Sequence, residues 1–74
     1  MHSATDRVIA ANVADLANTQ HITLRELADE SGIALDRLRA YLASDRGALG
    51  LAEIEALAGI LGTTVAALNT PGAA

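Results

Sequence analysis

The chain has 74 residues, of which 51% are hydrophobic and 19% charged, with no cysteine and one aromatic residue, Tyr41. Such a chain is one small module with an aliphatic core, too apolar to be disordered, and without a disulfide, a thiolate nucleophile or a thiolate metal site. Five arginines, no lysine and nine acids leave a net charge of −4, with a pI near 4.8. This argues against indiscriminate attachment to nucleic acid or anionic membrane, so a polyanion must be met by a local basic patch.

The first expected helix runs from about Thr5 to Asn18, where Val8, Ile9, Val13, Leu16 and Ala17 recur at helical spacing and Asp6 sits in the first turn. Asp6 and Arg7 also stand where a secretory peptide would be apolar, so no export is expected and the location is read as cytoplasmic. Asn18 to His21 breaks the helix. Thr23-Leu-Arg-Glu26 then reads as a capping box that starts a second helix at Leu24, and Gly32 ends it after Ser31. Ile33 plugs the turn. A third helix begins at Leu35, with Leu35, Leu38, Tyr41 and Leu42 on its inner side and Asp36, Arg37, Arg39, Ala40 and Ala43 elsewhere on its surface. Ser44 to Gly47 is a loop. A fourth helix carries Leu51, Ile54, Leu57, Ala58 and Leu61 and ends at Gly62, and Thr64 caps a short fifth helix with Val65 and Leu68. The uncharged stretch after Glu55 is interrupted by Gly59, Gly62 and Pro71, so it is not read as a membrane span. The expected fold is an all-α five-helix bundle over residues 1–68, followed by a flexible tail over 69–74.

Thr23 to Leu42 is the informative segment. A capped two-turn helix, a glycine turn and a second amphipathic helix form a helix-turn-helix, which holds its second helix out for insertion into the major groove. Leu27, Ala28, Ile33 and Leu38 are expected to pack the pair together, so that the outer face of the second helix is presented rigidly.

Thr23-Leu-Arg-Glu-Leu-Ala-Asp-Glu-Ser-Gly-Ile33, then Leu38, then Leu57-Ala-Gly-Ile-Leu-Gly62, resembles the lambda-repressor and Cro-like helix-turn-helix regulators, over roughly Ile9 to Leu68. The resemblance implies a five-helix bundle that binds operator DNA, usually as a dimer. It places the base-reading positions of the recognition helix, about residues 35–43, on Leu35, Asp36, Arg37, Arg39 and Ala40. It places a backbone-contacting loop on Ser44 to Gly47, with Arg46 as the phosphate candidate. Chemically, arginine can read guanine with two hydrogen bonds, Asp36 can accept from cytosine, and Ala40 or Leu35 can touch a thymine methyl. Arg25 is a further phosphate candidate. Two positions depart from the family: Leu24 stands where a phosphate-contacting Gln is common, and Ala34 where Ser or Thr commonly caps the recognition helix.

Four of the five arginines lie between residues 25 and 46, but five acids share that window, so a basic footprint exists only if the fold segregates the signs. Arg37 and Arg39 can equally be solvated, or partners of Asp36 and Glu30. Tyr41 is read as core with its hydroxyl at the edge, and His21 as a solvated loop residue. Gly59, inside a helix, is read as a site of close packing by another helix or a second copy. No catalytic arrangement is found, and neither a cofactor nor a small-molecule ligand is expected. The sequence therefore reads as a non-enzymatic, sequence-specific transcriptional regulator of phage or mobile-element type. It acts by occlusion, as a homodimer on a double-stranded operator with recognition helices about 34 Å apart. The alternative is a protein-binding module of the same fold, an antitoxin, an antirepressor or an acidic partner-binding protein, favoured by the net charge, Leu24 and Asp36.

Overall fold

The computed structural model describes residues 4–43 and 48–72, and these form five helices and no strand. They are α1 (Ala4–Thr19), α2 (Leu24–Ser31), α3 (Leu35–Leu42), α4 (Leu51–Leu61) and α5 (Val65–Leu68). Local chemistry explains the ends. At the start of α2 the Thr23 hydroxyl accepts from the Glu26 amide at 3.1 Å, and the Glu26 carboxylate accepts from the Thr23 amide at 3.0 Å. At its finish Gly32 takes the left-handed conformation, φ 76°, and donates its N–H to the Ala28 carbonyl at 3.0 Å. Helix α4 ends the same way at Gly62, φ 73°. Helix α1 closes with a left-handed residue too, but there it is His21, φ 58°, with the Ile22 amide reaching back to the Ala17 carbonyl at 2.8 Å.

The core is aliphatic with one ring at its centre. Val13, Leu27, Leu38, Tyr41, Leu57 and Leu68 are its largest fully buried side chains, and burial of each such aliphatic group stabilises the fold by about 1.5–3 kcal/mol. Helix α1 packs on α3, α4 and α5, while α2 packs on α3 and α4. Two side-chain amides, one on α1 and one just past its end, add direction to this packing. Asn12, a buried polar residue, donates to the carbonyls of Leu68 at 2.7 Å and Thr70 at 2.9 Å, and Gln20 donates to the carbonyl of Leu61 at 2.8 Å. The Thr70 bond ties α1 to the segment read as tail.

Some side chains sit differently from the sequence expectation. Leu51, placed on the apolar stripe of α4, is 65% exposed. The approach to α4 dips inward at Leu49, which is buried, so the core position is filled two residues earlier and Leu51 points outward from the first helical turn. Val8, Leu16, Leu35 and Leu42 are half-buried rather than sealed. Gly59 lies on an exposed surface, and a Cβ built there meets nothing within 4 Å, so close packing by another helix of the described chain is not its purpose.

Candidate nucleic-acid interface

Helix α3 is held from beneath. Leu38 and Tyr41 are completely buried, and the Tyr41 hydroxyl lies 3.0 Å from a carboxylate oxygen of Asp6 on α1. Burial, and then the Asp6 carboxylate, push the phenol well above its ordinary pKa, so it stays protonated and can donate to Asp6. On the opposite side Asp36, Arg39, Ala40 and Ala43 follow at intervals of three and four, which in a helix of 3.6 residues per turn is a single stripe. Asp36, Arg39 and Ala43 are exposed and Ala40 is half-buried. Leu35 stands half-buried at the start of the helix. No side chain caps this start, because Ala34 offers no acceptor.

The arginines divide into two kinds. Arg39 projects with its side chain 60% exposed, 3.6 Å from Asp36 one turn earlier; this is a loose surface pair, one of the alternatives read from the sequence. Arg25 is exposed on α2 and borders a shallow open cleft shared with Asp29, Ile33 and Leu35. Arg37 is engaged elsewhere. Its guanidinium forks onto both oxygens of Glu53 on α4, at 2.5 and 2.9 Å, and donates to the Ala48 carbonyl at 3.1 Å. This partner is neither Asp36 nor Glu30. The hydrogen bonds hold the Glu53 carboxyl below its ordinary range, with the Gly50 amide at 2.9 Å contributing, and they raise the Arg37 pKa. Ser44 and Arg46 lie outside the described residues.

Glu53 and the Ala48 carbonyl are the partners that the sequence reading missed. A signal was present: Glu53 stands three residues after Gly50, the spacing at which a carboxylate reaches back to a helix's first amide. Its second role, towards α3, has no local signature.

Among the described residues no helix is long and apolar enough to cross a membrane, and no group of three or more His, Asp or Glu side chains is placed to hold a metal ion. Comparison of the chain with models of protein families, with curated proteins and with solved structures found no match.

Proposed function

We propose that the chain is a helix-turn-helix protein of the lambda-repressor and Cro-like kind that binds operator DNA in a sequence-specific manner and regulates transcription by occlusion. The observation that carries this reading is the presentation of α3. A two-turn helix fixed at both ends, α2, leads through Gly32, Ile33 and Ala34 into a second two-turn helix. The inner side of that helix is sunk to zero exposure at Leu38 and Tyr41, and Asp36, Arg39 and Ala43 on its outer stripe are exposed to solvent. A rigid, short, outward helix of this length fits the major groove. Arg39 is the candidate guanine reader, Asp36 accepts from cytosine, Ala40 and Leu35 meet thymine methyls, and Arg25 neutralises a phosphate. The cations available from one copy are few, so two copies on a pseudo-palindrome supply the grip. They meet over the uncharged run from Ala56 to Leu68, through its exposed or half-buried members such as Gly59, Ile60, Val65 and Ala66, whereas Leu57, Ala58, Leu61 and Leu68 belong to the core.

One observation favours the second reading, a protein-binding module of the same architecture. The exposed cations Arg25 and Arg39 are matched by Asp29 and Asp36 on the same two helices, and Arg37 is spent on Glu53. The deciding experiment is fluorescence anisotropy with a duplex selected from a random pool, read at two salt concentrations. Two copies using Arg25 and Arg39 make about four phosphate or base contacts of positive charge, so affinity should fall about a hundredfold from about 50 to 200 mM salt. Absence of specific binding at low salt by a folded protein overturns the DNA reading in favour of the module.

A further inference from the structure

Arg37 is set about 100° round the helix from Asp36, on the flank of α3 that faces α4 rather than on the outer stripe. From there one guanidinium joins three separate pieces of chain: α3 at residue 37, the approach to α4 at the Ala48 carbonyl, and α4 itself at Glu53. Glu53 closes the circuit by also accepting the Gly50 N–H, so the same carboxylate caps α4 and grips α3. The fork geometry constrains angle as well as distance, which a point charge such as an ammonium does not. Helix α3 packs on α1 and α2, its start has no side-chain cap, and this fork adds a side-chain tie from it to α4.

We propose that Arg37 and Glu53 are positioning residues: together they set the angle at which the outer stripe of α3 is offered to the groove, and Arg37 touches no base. The proposal rests on the DNA-binding reading above. It assigns a negatively charged residue of α4 a favourable role in binding a polyanion, which simple electrostatics would not.

That reversal of sign is the test. Removing an acid from a DNA-binding protein ordinarily tightens binding, and Glu55→Gln, an exposed change two residues away, is the control for it. Glu53→Gln should instead weaken binding about three- to tenfold for matched and mismatched duplexes alike, the scale expected when one member of a coupled network is removed. Arg37→Gln should do the same without changing the salt slope, and the double variant should lose no more than Arg37→Gln alone. Tighter or unchanged binding by Glu53→Gln overturns the proposal. So does a salt slope lowered by about one per copy, or preference lost at a single base pair, in Arg37→Gln, since these mark a direct contact. The free protein gives a second readout that does not depend on DNA. In Glu53→Gln the amide resonances of Asp36, Arg39 and Ala40 should shift as α3 re-orients, and resonances that stay in place overturn the clamp. Failure of the wild type to bind any duplex, with those shifts present, counts against the DNA reading and leaves the clamp standing.

Discussion

Replacing Asn12 by alanine removes two donors from the centre of the molecule. The side chain is 3% exposed, and its amide nitrogen serves the Leu68 carbonyl at 2.7 Å and the Thr70 carbonyl at 2.9 Å. Each ordinary hydrogen bond contributes about 0.5–1.5 kcal/mol net, and a buried carbonyl left without a donor costs about 1–3 kcal/mol. The Leu68 bond is buried and the Thr70 bond partly so, which places the loss for Asn12→Ala at about 2–3 kcal/mol. A domain of this length has about 4–11 kcal/mol in total, so the variant should unfold at a distinctly lower urea concentration, with an unchanged slope. Asn12→Asp sharpens the argument. An ionised carboxylate there faces two carbonyl oxygens with nothing to donate, so its folded pKa is raised above the unfolded value of about 3.9. A group raised in this way is most favourable below the unfolded pKa, and its contribution is lost as pH rises through the folded value. Asn12→Asp should therefore be less stable than Asn12→Ala at neutral pH and recover relative to it on acidification. Urea titrations followed by far-UV circular dichroism at both pH values read this directly. An Asn12→Ala loss under about 0.5 kcal/mol, the range of ordinary surface changes, would refute the reasoning.

His21→Gly relieves a left-handed backbone that glycine adopts freely, and should stabilise the fold by about 0.5–1 kcal/mol, seen as a rise of about 2–8 °C in the thermal midpoint; a fall means that the imidazole makes a compensating contact. Gly59→Ala should stabilise the monomer by about 1 kcal/mol, because the added methyl enters open space and alanine is the better helix former. If two copies meet over this face, the same methyl should weaken self-association in sedimentation equilibrium. Acidification should destabilise the protein through Glu26 and Glu53, whose carboxyls are both held below their ordinary range. Such groups contribute stability that is full above the unfolded value of about 4.3 and lost as pH falls through the lower folded values. Glu53→Gln should accordingly flatten the decline of the thermal midpoint between about pH 5 and 3, and an unchanged decline tells against the Arg37 fork in solution.

The helices were legible because their punctuation is local. Thr23 with Glu26, Gly32, Gly62, and Thr64 with the Ala67 amide act within a few residues, and each falls at an observed helix end. Periodicity found the inner side of α3 for the same reason. What it could not find was anything built by contact between distant positions. Asn12 reads as an ordinary polar residue on a helix until α5 arrives 56 positions later, and Arg37 reads as an exposed cation until Glu53 is brought beside it. Leu51 failed in the opposite direction: it satisfies the helical period, but Leu49 had already filled the place. Of the candidate interface, the helix and its outward stripe could be read from the sequence. The division of its arginines into two that project, Arg25 and Arg39, and one that braces, Arg37, could not.

Asn12 on α1 and Gln20, one residue past its end, stand eight residues apart, about 12 Å along the helix axis, and each is keyed to the carbonyl end of a different helix. The first helix thus works as a gauge with two notches. Greasy contacts alone tolerate sliding by a turn, but here a shift of one residue swings both amides about 100° out of reach. An insertion anywhere between the two notches should consequently unseat either α4 or α5, whereas one placed before Asn12 leaves both notches in step.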